Sequence, residues 1–135
     1  MNDKTTTLDD LKKEINEFVE ERKWDEFQNL RSLAISLSLE SNELLDHFQW
    51  LNDKEVDDYE KDKSNHVEIS EELVDILSYI LIASKKLDID ITKAFKDKLA
   101  KNREKYPAEE FVELNREEDN KKYQKKRKEW DERTS

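Results

Sequence analysis

The chain has 135 residues, 44% of them charged and 34% hydrophobic, and its 35 acids against 25 bases give a net charge of −10. That length suits one domain, and an acidic surface repels nucleic acid and anionic lipid. The absence of Gly and Cys excludes the P-loop, the dinucleotide fingerprint, the nucleophile elbow, disulfides, Cys–zinc sites and Cys nucleophiles.

Leu8, Leu11, Ile15, Phe18 and Val19 fall on one helical face and predict a helix over about 7–22. Thr7 with Asp10 three residues later forms a capping-box pattern. Trp24 and Phe27 follow in a short connection. Leu30, Leu33, Ala34, Leu37, Glu40, Leu44, His47 and Trp50 predict a second helix over about 31–50. Residues 51–64 carry many acids and little apolar periodicity, and read as a loop or mobile segment. Asn65 with Glu68 offers a second capping box for a third helix. That helix has Ile69, Leu73, Ile76, Leu77, Ile80 and Leu81 on a wide apolar face. Val74, Ile82 and Ala83 add a second apolar side, so it needs neighbours on more than one side. Asp90 caps a fourth helix over about 91–105, with Ile91, Ala94, Phe95, Lys98 and Leu99 as its core face. It stops before Pro107, as the restriction on a residue preceding proline requires.

From Arg116 to Ser135 there are eight basic and six acidic residues, in a pattern that a helix or an extended tail can accommodate. The expected fold is all-α: an antiparallel bundle of about four core helices per chain, completed by oligomerisation. The expected division is a domain over 1–111 and a charged tail over 112–135, helical or mobile. No run approaches the ~20 apolar residues of a membrane span, and no signal-peptide core begins the chain. A cytoplasmic location is therefore expected, without a membrane or nucleic-acid polymer as partner.

Two pairs of carboxylates carry chemistry. Glu40 and Glu43 lie three apart on the second helix, and Glu72 and Asp75 three apart on the third. Residues three apart share a helix face. Leu37 and Leu44 flank the first pair, Leu73 and Ile76 the second. If the stripes pack together, four carboxylates converge, and they cannot all stay ionised without a cation. Either pair alone, among 35 acids, reads as surface charge. Hard divalent ions take oxygen ligands, and Mg²⁺ keeps waters that a phosphate can displace. A di-iron bundle needs Glu-x-x-His on two helices, whereas the third positions here are Glu43 and Asp75. His47 follows Glu43 by four residues and stands alone, so it reads as a packed or surface imidazole.

Four blocks occur in order: Glu21-Arg22-Lys23-Trp24-Asp25-Glu26-Phe27; Leu39-Glu40-Ser41-Asn42-Glu43-Leu44-Leu45, running to Phe48-Gln49-Trp50; Glu71-Glu72-Leu73-Val74-Asp75-Ile76-Leu77-Ser78-Tyr79; and Lys98 to Asn102 with Lys105-Tyr106-Pro107. Together they resemble the MazG-like all-α nucleoside triphosphate pyrophosphohydrolases, most closely the dCTP pyrophosphatase branch, over roughly residues 14–108. The resemblance implies that Glu40, Glu43, Glu72 and Asp75 are Mg²⁺ ligands. It implies that Trp24, Phe27, Gln28, Trp50 and Tyr79 line a nucleotide pocket, with Lys98 and Asn102 near the phosphates and Lys105, in the family's basic-Tyr-Pro ending, also binding substrate. It also implies a dimer or tetramer whose pocket borrows residues from a neighbouring subunit. The chain departs from the branch at Gln28 and Ile15, where the branch often has His. Both positions lie where base or sugar would be read.

The residues agree with this on their own terms. Trp24, Trp50 and Tyr79 offer flat surfaces for a base, and Tyr79 is one turn beyond Asp75. Lys121 to Lys128 reads as a solvated stretch. The expected reaction is a triphosphate plus water giving a monophosphate and pyrophosphate, with Glu40 or Glu43 taking the proton from water. Two alternatives stand beside it: a non-catalytic helical scaffold, and a pyrophosphohydrolase of another branch acting on dUTP or phosphoribosyl-ATP.

Overall fold

The computed structural model describes residues 1–112 and 114–135, and among these every regular element is helical. The chain divides into two compact units, Met1–Ile89 and Asp90–Ser135.

The first unit holds α1 (Leu8–Glu21), α2 (Leu30–Asp46), α3 (Asp53–Lys61) and α4 (His66–Lys86). The capping box at α1 forms: the Asp10 N–H donates to Thr7 Oγ1 at 3.1 Å, and the Thr7 N–H donates to Asp10 Oδ2 at 2.8 Å. Asn29 and Ser32 make the same reciprocal cap at α2. Without Gly, two helix ends close on residues that carry a Cβ: Lys23 and Asp88 adopt φ of 54° and 52°. After α4 the chain turns back through Ile89 N–H to Ser84 O at 2.8 Å, a Schellman-type closure.

Val19, Leu33 and Ile82 are buried against one another, with Ile15, Tyr79 and Ala83 packed around them. One core residue thus comes from each of α1, α2 and α4. Helices α2 and α4 run antiparallel: Leu33 meets Ile82 near the start of α2, and Glu40 meets Glu72 further along it. This core is small, and large apolar side chains remain outside it. Ile35 and Leu39 on α2, and Leu73 and Val74 on α4, are each more than half exposed.

Three expectations need correction here. Residues 51–64 are not a loop, because Asp53–Lys61 is helical. Asn52 caps it through a reciprocal box with Glu55, and Val56 and Tyr59, three apart, turn inward as its half-buried face. The apolar signal was only two residues long, so the cap carries the helix. Asn65 does not cap α4 with its side chain; its Nδ2 donates instead to Tyr59 O at 3.1 Å. Finally, α2 ends at Asp46, and residues 47–50 form a turn. Trp50 is therefore not on the helix that carries Glu40.

The second unit holds α5 (Ile91–Lys105) and α6 (Arg116–Thr134). Asp90 caps α5 by accepting the Lys93 N–H at 2.9 Å. The ring of Tyr106 stacks on Tyr123, with centroids 4.9 Å apart. Glu110 accepts from Lys126 at 2.7 Å, and that ammonium holds the Glu110 carboxyl below the usual range. The tail is thus helical from Arg116. Of the expected core face of α5, Ile91 and Leu99 are half-buried, whereas Ala94, Phe95 and Lys98 are exposed, Phe95 to 65%. Among the described residues no helix is long and apolar enough to cross a membrane.

Candidate functional site

The antiparallel pairing of α2 and α4 brings the two carboxylate pairs together. One carboxylate oxygen each from Glu40, Glu43 and Glu72 lie within 4.8 Å of one another. Asp75, one turn beyond Glu72, is outside that set, but its charge is felt by Glu40. Glu40 and Glu72 are half-buried, and Glu43 is exposed. Burial pushes the Glu40 carboxyl above its usual range, and the negative charges of Glu43, Asp75 and Glu72 push it further. Hard oxygen donors, mutual repulsion and partial burial fit a divalent cation with carboxylate ligands.

Beside this cluster is a cavity of about 470 Å³. Glu40 and Asp75 stand in its wall together with Trp24, Gln28 and Tyr79. Ile15, Phe18, Val74, Ser78 and the core residues Val19 and Ile82 complete the lining. Trp24 is fixed by an edge-on contact with Phe18, at 5.7 Å and 75°. Gln28 Oε1 is buried with no hydrogen-bond partner among the described residues. An unpaired buried acceptor costs ~1–3 kcal/mol, which a ligand bringing a donor into the cavity recovers. Both positions at which the chain departs from the branch pattern, Ile15 and Gln28, therefore face this space.

The remaining expected residues are not in this lining. Phe27 and Trp50 are 77% and 85% exposed and do not line the cavity. Lys98, Asn102 and Lys105 are on α5, in the second unit. Lys98 is exposed and Asn102 half-buried. The Lys105 ammonium is 3.7 Å from Asp131 on α6 and 5.5 Å over the Tyr106 ring, so Asp131 already balances much of its charge.

Two residues near the carboxylates were not singled out as site residues from sequence. His47, in the turn after α2, is 3.7 Å through Nε2 from Glu72 Oε1. Its Nδ1 is 2.8 Å from the hydroxyl of Tyr59 on α3. The spacing of His47 from Glu43 was visible in the chain. Tyr59 lies in a segment whose many acids and scant apolar periodicity give no helix signal.

Comparison with known proteins places this geometry. The MazG-like family model matches residues 35–130. The dCTP pyrophosphatase 1 of Rattus norvegicus is 33% identical over 101 residues, covering 75% of this chain and 59% of the relative. The Homo sapiens dCTP pyrophosphatase 1 is 33% identical over 102 residues, covering 76% and 60%. The chain thus spans about three-fifths of the length of the curated relatives it matches. A solved pyrophosphatase structure from Archaeoglobus fulgidus shares 33% identity at a TM-score of 0.67, covering 79% of this chain and 98% of the other. With a family match over most of its length and a carboxylate pair from each of two antiparallel helices, this chain belongs to the MazG-like family.

Proposed function

We propose that this protein is a divalent-cation-dependent hydrolase that cleaves a nucleoside triphosphate, with dCTP or a modified dCTP foremost, to the monophosphate and pyrophosphate. One observation carries the reading: a single cavity has carboxylates and flat aromatic rings in the same wall, Glu40 and Asp75 with Trp24 and Tyr79. The relatives named dCTP pyrophosphatase 1 and the pyrophosphatase structure support the same class of activity.

Glu40, Glu43, Glu72 and Asp75 are the residues that would hold Mg²⁺. Bound there, the ion would supply positive charge against the triphosphate and make water a better nucleophile. Glu40 faces the cavity and Glu43 does not line it, so Glu40 is the better placed to accept the proton of the attacking water. The water oxygen bonds to the α-phosphorus, the bond from that phosphorus to the α–β bridging oxygen breaks, and pyrophosphate leaves with the bridging oxygen. Trp24 and Tyr79 hold the base by stacking, worth ~1–3 kcal/mol per base. The unpartnered Gln28 Oε1 favours a base that presents an exocyclic amine, as cytosine does. Lys98 and Asn102 are assigned to the phosphates, and Lys105 to substrate binding, by their match to the family pattern.

A second copy of the chain completes the assembly in this reading. Ile35, Leu39, Leu73 and Val74 leave apolar surface on α2 and α4, and clustered exposed apolar surface marks an interaction site. Phe27 and Trp50, both largely exposed, serve a pocket shared between subunits. A panel of nucleoside triphosphates, dUTP and phosphoribosyl-ATP, with pyrophosphate detection, tests the proposal. The expected result is Mg²⁺-dependent pyrophosphate release, fastest with a cytosine nucleotide. Absence of turnover on the whole panel favours a scaffold, and preference for phosphoribosyl-ATP or dUTP moves the protein to another branch.

A further inference from the structure

The third carboxylate of the cluster has a neighbour that the proposed chemistry does not use. His47 packs beside Phe48 and Tyr59, with ring centroids 6.1 Å from each. Phe48 and Tyr59 meet edge-on at 5.5 Å. The imidazole is thus fixed by packing, with its side chain 15% exposed. One nitrogen, Nδ1, is at 2.8 Å from the Tyr59 hydroxyl. The other, Nε2, faces Glu72 Oε1 at 3.7 Å.

For the neutral ring, two arrangements of the proton are available. If Nδ1–H donated to the Tyr59 oxygen, the lone pair of Nε2 would face a carboxylate, which is repulsive. If the Tyr59 O–H donates to Nδ1, the proton of the neutral ring is on Nε2 and faces Glu72, which is attractive. His47 is not itself among the groups that converge within 4.8 Å; those are Glu40, Glu43 and Glu72. We infer that Tyr59 and His47 are positioning residues: Tyr59 fixes the His47 tautomer, and the Nε2–H, at 3.7 Å an electrostatic rather than a hydrogen-bonding contact, restrains the Glu72 carboxylate where it meets Glu40 and Glu43 for a divalent cation. This rests on the proposed metal-binding role of Glu72. It also gives α3 a task, since that helix carries Tyr59. Residues that orient metal-ligating carboxylates contribute ~10–100-fold in metal affinity.

The test is Mn²⁺ binding to the full chain without nucleotide, followed by electron paramagnetic resonance. His47→Leu should weaken Mn²⁺ binding about tenfold or more, and Tyr59→Phe, which removes only the hydroxyl, should weaken it several-fold. His47→Gln, which keeps an N–H donor, should recover most of the loss. Melting in EDTA reads packing separately. In a Glu72→Gln background, Tyr59→Phe should cause no further loss, because its action passes through Glu72. The inference is overturned by a folded Tyr59→Phe or His47→Leu that binds Mn²⁺ like the wild type. Equal losses in both backgrounds, or a nitrogen bound directly to Mn²⁺ in the spectrum, also overturn it. A wild type that binds no Mn²⁺ overturns both this inference and the metal site it depends on, whereas normal wild-type binding with unaffected variants removes only the inference.

Discussion

Replacing Glu40 by Gln deletes one negative charge from three carboxylates whose oxygens lie within 4.8 Å. Two unit charges at that distance repel by ~0.9 kcal/mol at the dielectric of water and ~3.5 kcal/mol at an effective value of 20. Glu43 is exposed and belongs near the lower figure. Glu72 is 19% exposed and lies between the two. Rotation of the carboxylates away from one another recovers part of the cost. The metal-free variant should therefore be more stable than wild type by about 1–2 kcal/mol. At about 4 °C per kcal/mol for a chain of this size, that raises Tm by about 4–8 °C. Added Mg²⁺ should reverse the comparison. At about a hundred times its Kd, a specific ligand stabilises the wild type by about 2.7 kcal/mol. The variant, with one ligand fewer, should gain much less. Differential scanning fluorimetry of both proteins in EDTA and in Mg²⁺ reads all four values. Lower stability of the variant in EDTA would refute the claim that these carboxylates are under mutual repulsion. Equal Mg²⁺ gains in the two proteins would refute Glu40 as a ligand.

Leu33→Ala should cost about 2–4 kcal/mol by denaturant unfolding, because Leu33 is buried against Val19 and Ile82; a loss under 1 kcal/mol would place the core elsewhere. The Thr7 backbone N–H, and then its hydroxyl, hold the Asp10 carboxyl below its usual range. A lowered native pKa contributes stability above the unfolded value and loses it as pH falls through the native one. The advantage of wild type over Asp10→Ala should thus be full at neutral pH and fade below the ordinary aspartate range; a gap that does not change with pH would count against the capping contribution. Leu39→Glu should dissociate the assembly proposed for α2 and α4, read by light scattering, and a wild type already monomeric at micromolar concentration would contradict that assembly.

Local signals in the chain were enough for most of the helices. Thr7 with Asp10, and Asp90 before Ile91, announced their caps, and both caps form. The apolar periods of α1, α2 and α4 anticipated Val19, Leu33 and Ile82 as inward residues. The carboxylate cluster was legible for the same reason: a spacing of three on two long helices defines a face before any packing is known. What failed was of another kind. The α3 helix rests on a polar box between Asn52 and Glu55 and on two apolar positions, too few to show a period. Asn65 resembled a cap, but Tyr59 O takes its side chain through a contact no local pattern reveals. Trp50 was placed by helical geometry on a helix that ends at Asp46. The unpaired Gln28 oxygen depends on which side chains surround it, and periodicity carries no such information.

The most direct test of the central claim is the identity of the products. Wild-type protein, Mg²⁺ and a cytosine nucleoside triphosphate would be followed by ³¹P magnetic resonance, beside the same mixture with EDTA and with Glu72→Gln. Monophosphate and pyrophosphate should appear in equal amounts, with no reaction in EDTA and a loss of several orders of magnitude in the variant. Release of orthophosphate and a diphosphate, or wild-type turnover in Glu72→Gln, would contradict the central claim.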